Sequence, residues 1–216
     1  MIVTALEQCC RLGAWHLGEL LVSGSPEGIF TLQHHADARD GLGPDAVPNR
    51  FTAPEELRDW VRHDDAGNYR PLKGAPTLRR GWSFRTRSSQ DLHRALDFVY
   101  PGALANWLAQ RSGKLRVVNL RDTLDRQSGM YRVTRKITDE AADRMIGAFC
   151  RSDTGCLRTI LWRIGAERPV TTLPAGKFDL RSDQLGRAGA CVPILCAEPC
   201  NLLVAQARAV VKGIRK

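Results

Sequence analysis

The sequence predicts an α+β protein in which a mixed strand and helix unit is followed by a mainly helical unit that carries cysteines. Three observations lead there. Short apolar runs of strand length, separated by clusters of turn residues, occupy much of residues 15–87. Apolar stripes at helical spacing recur near 88–111, 138–150 and 201–212. A polar stretch, RDTLDRQSG from Arg121 to Gly129, lies between the two kinds of pattern, and the domain boundary is placed there, giving units 1–125 and 126–216.

In chain order, Trp15–Val22 (WHLGELLV) and Ile29–His35 (IFTLQHH) flank the turn-rich SGSPEG and read as a β-hairpin. Residues 36–50 are rich in Asp, Gly and Pro and read as a loop. The run Thr52-Ala-Pro-Glu55 then looks like a helix cap with proline just inside, opening a helix to about Val61. Turn chemistry returns from His63 to Lys73, and Pro76–Arg87 alternates basic and apolar residues as a strand does.

Ser88 to Asp91 opens a helix striped by Leu92, Leu96, Phe98 and Val99 that ends before Pro101, because the residue ahead of a proline avoids the helical region. A second helix follows, with Leu104, Trp107 and Leu108 on one side and Ser112-Gly113 as its stop. Leu115–Leu120 reads as a strand, as does Tyr131–Thr134. Thr138 caps a helix whose first turn holds Asp139 and Glu140, where negative charge suits the helix dipole, and whose apolar face is Ala141, Met145, Ile146 and Phe149. That helix delivers Cys150. Residues 165–190 carry no clear pattern. Pro199 sits where a helix N-terminus would, and Asn201–Lys212 is a helical run, so Cys200 falls at a helix start, where the dipole and free amides favour a thiolate.

A chain of 216 residues can bury a core without metal for basic stability. Its apolar share of 43% and charged share of 25% are those of an ordinary folded protein and argue against a disordered one. No apolar run approaches the roughly 18 residues of a membrane span, so no membrane partner is expected. Glu7, Arg11, His16 and Glu19 interrupt the first twenty residues where a secretory signal needs an apolar core, and the expected compartment is the cytoplasm. A net charge of +9 permits nucleic acid, acidic proteins or anionic metabolites as partners without choosing among them.

The chemistry concentrates at four cysteines. Cys150 and Cys156 are spaced C-x5-C in CRSDTGC; Cys196 and Cys200 are spaced C-x3-C in CAEPC. In a reducing compartment paired cysteines are better suited to metal than to disulfides, and an odd total of seven fits a disulfide framework poorly. Ser152, Asp153 and Gly155 make a turn that can bring the first pair to one centre, with amides available to hydrogen-bond sulfur. Four thiolates suit either zinc or a 4Fe-4S cluster; C-x5-C departs from the usual zinc knuckle, whereas C-x3-C does not, and spacing alone leaves the two even. Buried apolar packing is the third reading, opposed by the polar, turn-rich surroundings. Cys191 is a fifth candidate that could substitute for a ligand, and it reads as a spectator ahead of the CAEPC turn. Cys9 and Cys10 read as small apolar groups.

Two other constellations read as structural. His34 and His35 with Asp37 could suggest a metal or catalytic site, but neighbours in a strand point to opposite faces. Arg79, Arg80, Arg85 and Arg87 with Trp82 and Phe84 could track a nucleic-acid backbone and stack bases, against the simpler reading of a half-buried strand.

The segments RQSGMYRVTRKITDEAADRMIGAFC, GCLRTILW and CAEPCNLLV together resemble the 4Fe-4S cluster-binding domain found with CbiX-type sirohydrochlorin cobaltochelatases. YRPLKGAPTLRRGW and LDFVYPGALANW resemble the stabilising domain that accompanies it. The resemblance spans nearly the whole chain, with 1–125 as stabilising domain and 126–216 as cluster-binding domain. It implies Cys150, Cys156, Cys196 and Cys200 as cluster ligands, a tie to tetrapyrrole or cobalamin metabolism, and a chelatase or redox protein as partner. No counterpart of the chelatase's metal-inserting histidines can be placed in this chain, and the resemblance does not transfer chelatase activity to it. The expected function is a 4Fe-4S protein for electron transfer or redox sensing. Its rivals are a nucleic-acid-binding protein with a structural zinc or cluster, and an enzyme with an exchangeable iron that also uses Arg79, Arg80 or His63; whether the chain is an enzyme stays open.

Overall fold

The computed structural model describes residues 2–11, 13–64, 66–69, 78–115, 118–119, 136–150, 159–160, 162–164, 168–169, 190–192, 194–196 and 200–213. The chain folds as two compact units, Met1–Leu108 with Asp179–Ile194, and Ala109–Phe178 with Leu195–Lys216.

The first unit is built on a mixed sheet. Its strands are β1 (Trp15–Leu17), β2 (Leu20–Gly24), β3 (Phe30–His34), β4 (Asn49–Phe51), β5 (Trp82–Thr86) and β10 (Ala190–Val192), in the order β10-β1-β2-β3-β5-β4. β1, β2, β3 and β5 pair antiparallel in turn, and the outer pairs β1 with β10 and β4 with β5 are parallel. Alternation sends Trp15, Leu17, Leu20, Val22, Leu32 and Phe84 inward, and each is nearly or fully buried. Each such aliphatic side chain removed from water contributes about 1.5–3 kcal/mol.

The expected hairpin exists as β2 with β3, in register from Leu20 opposite His34 to Gly24 opposite Phe30. Trp15–Val22 is not one strand, however. Leu17 pairs with Leu20, so Gly18 and Glu19 form a two-residue turn within it. Gly18 has φ +56°, and a Cβ there would lie 2.4 Å from Ile194 Cδ1 and 2.8 Å from Tyr100 Cζ, which only glycine avoids. The Glu19 N–H donates to Tyr100 Oη at 3.0 Å and holds the turn down.

Four helices pack with this sheet or flank it: α1 (Ile2–Arg11), α2 (His35–Arg39), α3 (Pro54–Val61) and α4 (Ser89–Val99). α4 is the helix its stripe predicts. Ser88 Oγ accepts from Asp91 N–H at 3.1 Å, and Leu92, Ala95, Leu96 and Val99 are buried. α3 ends at Val61 as expected, but its cap residue is Ala53 with Pro54 as the first helical residue, so Thr52 lies one position too early. The 36–50 loop contains the short α2 and leads into β4. α5 (Ala103–Arg111) follows α4, burying Leu104 and Trp107, and Gly113 at φ +71° stands just beyond its end.

In the second unit, α6 (Asp139–Cys150) and α7 (Asn201–Val211) pack together around Ile137, Ala142, Met145, Ile146, Cys150, Leu203, Val204 and Ala207. Thr138 caps α6 as predicted: Ala141 N–H donates to Thr138 Oγ1 at 3.2 Å. β7 (Thr159–Ile160) runs parallel to β11 (Leu195–Cys196), and β6 (Val118–Asn119), β8 (Trp162–Ile164) and β9 (Arg168–Pro169) form a small sheet. The predicted strand at Tyr131–Thr134, the boundary stretch Arg121–Gly129 and the CRSDTGC turn fall outside the described residues. Among the described residues no helix is long and apolar enough to cross a membrane.

Candidate metal centre

Three of the four expected ligands border one apolar cluster of the second unit. Cys150 ends α6 and is 8% exposed; Cys196 ends β11; Cys200 caps α7, and the latter two pack against the same apolar cluster that contains Cys150. Local sequence explains two of these positions. The α6 stripe buries Ala142, Met145 and Ile146, and Cys150 continues it one turn beyond Ile146. Cys200 has extended backbone at φ −72° and ψ 160°, as a cap residue should, and its Sγ accepts the Leu203 N–H at 3.5 Å. An amide aimed at sulfur is what tunes and orients a thiolate ligand. Cys156 lies outside the described residues.

The donor set suits the cluster that four thiolates hold: three thiols border one buried apolar cluster, and a backbone amide is aimed at one of the sulfurs.

Cys191 belongs to the other unit. It sits in β10, in register with His16 of β1, inside the first unit, whereas Cys196 belongs to the second. Cys10 is buried, as a small apolar group would be.

The basic strand takes the simpler of its two readings. Trp82 and Phe84 are fully buried, which removes both from base stacking. Arg80 is held by Asp37 and Asp40, Arg85 pairs with Asp45, and Arg79 stacks over Trp60 at 3.8 Å. The Arg80 guanidinium, by hydrogen bond first and charge second, holds the Asp40 carboxyl below its usual range. His63 makes an isolated bridge with Tyr69 and lies edge-on to its ring, and its Nδ1 is 3.3 Å from Asp59 O.

The histidine pair departs from expectation. The strand stops at His34, and His35 opens α2, so the alternation that would send the two rings apart does not apply. Their rings stack at 5.2 Å, and both approach Glu19: His34 Nε2 lies 3.9 Å and His35 Nδ1 3.3 Å from its Oε2. His16 stands edge-on to His35 at 6.0 Å, and burial, with the His35 charge second, pushes its pKa below the usual histidine value. Sequence reasoning misses Glu19 because its turn is hidden inside an apparent strand; Gly18 beside a charged residue is the available signal.

Residues 4–111 match the DR2241 stabilising domain, and residues 112–209 match a 4Fe-4S iron-sulfur cluster binding domain. The crystal structure of DR2241 from Deinococcus radiodurans, described as a multi-domain protein with structural similarity to chelatases and two additional novel domains, superposes with a TM-score of 0.73 at 28% identity. The match covers 98% of this chain and 41% of that one, so the chain spans about two fifths of its relative's length. No curated protein matches significantly. With one profile covering half of its length and the other most of the remainder, the chain belongs to the DR2241 stabilising domain family and carries with it a 4Fe-4S iron-sulfur cluster binding domain.

Proposed function

We propose that this chain is an electron-transfer or redox-sensing protein whose single 4Fe-4S cluster is held by Cys150, Cys156, Cys196 and Cys200. The observation that carries the reading is the gathering of Cys150, Cys196 and Cys200 on one apolar cluster between two packed helices. The fourth ligand is argued from chain connectivity: Cys156 is three residues from Thr159, a reach of at most about 11 Å, and β7 pairs Ile160 with Cys196 itself. When bound, such a cluster supplies a one-electron redox couple.

The chain's own contribution is to shield and tune. Ile146, Leu203, Val204 and Ala207 share a buried apolar cluster with Cys150, and Cys196 and Cys200 pack against it, which lowers the local dielectric on that side of the thiols. The Leu203 N–H on the Cys200 sulfur stabilises negative charge there. Four protein thiolates leave no open iron position, so the reading favours electron exchange over substrate binding at the metal. The chelatase similarity stated for the DR2241 relative supports a partner that handles tetrapyrroles, supplied by a separate chain or by sequence beyond this one.

Anaerobic purification with iron, sulfide and zinc analysis, joined to optical and EPR spectra, tests the reading. About four irons and four sulfides per chain, lost on alanine substitution at each of the four cysteines, is the expected result. Stoichiometric zinc after expression with ample iron and cluster-assembly capacity would overturn it.

A further inference from the structure

We propose that Glu19, His34 and His35 of the first unit form a second metal site, for a single divalent cation of the zinc class, independent of the cysteines. The three residues are brought together by the sheet. Glu19 occupies the turn between β1 and β2, and the register that sets Leu20 opposite His34 lays this turn beside the end of β3. The His35 N–H donates to the Glu19 carbonyl at 2.8 Å, so the backbone carrying one ligand is tied to the backbone carrying another. Tyr100 Oη accepts the Glu19 N–H, and Ile194 and Tyr100 leave no room for a side chain at Gly18, the other residue of the turn. Such supports fix the backbone that carries the ligands, leaving the rings and their protons to adjust to an ion.

The spacing suits a small cation. One ligand atom from each residue lies within 4.8 Å of the other two. Zinc with nitrogen and oxygen ligands at about 2.0–2.1 Å sets those atoms about 3.3–3.4 Å apart. Glu19 Oε2 to His35 Nδ1 is 3.3 Å, already at that spacing, and Glu19 Oε2 to His34 Nε2 is 3.9 Å, so the His34 ring has to move inward. Two imidazoles and one carboxylate form a zinc donor set in which a fourth position remains for water or another ligand. That position has access to solvent, since the Glu19 and His35 side chains are 23% and 30% exposed while His34 is 6% exposed.

Proton positions give the site a distinctive signature. Without an ion, His34 Nδ1 accepts the Ala36 N–H at 3.0 Å, so the neutral ring carries its proton on Nε2, facing the carboxylate. His35 Nδ1, 3.1 Å from the Glu19 carbonyl, carries its proton on that side as well. A cation needs the lone pair at both places. Each ring then moves its proton to the other nitrogen, with no net release, and His34 can no longer accept from Ala36. Metal binding therefore competes with the cap of α2, and the Ala36 amide loses its partner when the ion enters.

The test uses the full chain with its iron-sulfur cluster loaded, titrated with zinc by calorimetry and probed by zinc-edge X-ray absorption. The expected result is one equivalent in a nitrogen and oxygen shell near 2.0–2.1 Å. Glu19→Gln and His35→Gln, which keep side-chain size, should each weaken binding tenfold or more, and amide exchange at Ala36 should accelerate on zinc addition. A shell of sulfur at about 2.3 Å, affinity unchanged in both glutamine variants, or absence of binding would each overturn the proposal. Cluster iron and sulfide content, measured on the same samples, separates this site from the cysteine centre.

Discussion

Cys200 has an observed role as a cap and a proposed one as a ligand, and replacing its sulfur in two ways separates them. It caps α7 by accepting the Leu203 N–H, and it is an expected cluster ligand. At 3.5 Å the sulfur makes a weak cap bond, whereas serine Oγ is among the preferred cap acceptors, and losing such a cap for alanine costs about 0.5–2 kcal/mol. With the weaker sulfur acceptor placed between them, the cluster-free protein should rank Cys200→Ser at or above the parent by up to about 1 kcal/mol, and Cys200→Ala below it by about 0.5 kcal/mol. Amide hydrogen exchange at Leu203 and Val204 reads this locally. It avoids a global unfolding curve that two compact units would complicate. Iron and sulfide should fall in both variants. If both keep parental iron and sulfide, Cys200 is a cap alone; if serine and alanine weaken α7 equally, the sulfur bond is not what holds its start.

Other perturbations follow from the same geometry. Ile146→Ala, at a fully buried position in the α6–α7 cluster, should destabilise the second unit by about 2–5 kcal/mol and speed loss of iron on dilution, read by hydrogen exchange and by the decay of visible absorption. Gly18→Ala places a Cβ against Ile194 and Tyr100 at positive φ, and the left-handed penalty of about 1–2 kcal/mol with overpacking of about 1–3 kcal/mol should show as an early thermal transition in the first unit. The Asp40 carboxyl should titrate below its ordinary value by NMR and return toward it in Arg80→Ala; because the folded value is lowered, this pair's contribution is present above pH 3.8 and is lost as pH falls through the folded value.

What was legible in the sequence was local. Ser88 and Thr138 as caps, Pro54 as a first helical residue, the stripes of α4 and α6, and the placement of Cys150 at a helix end and Cys200 at a helix start all follow from residues within one or two turns of one another. Sequence pattern pointed to a metal centre, and family resemblance pointed to iron-sulfur chemistry. Tertiary structure decided the rest. It split Trp15–Val22 at Gly18, sent Cys191 into the first unit's sheet and Cys196 into the second unit, and buried Trp82 and Phe84. It also turned His34 and His35 onto Glu19, 15 positions or more away in the chain. These outcomes depend on strand register and on where a strand stops, which are set by partners distant in sequence. Helix periodicity and caps are written within a few residues, whereas register is written between segments, so only the folded chain could bring Glu19, His34 and His35 together.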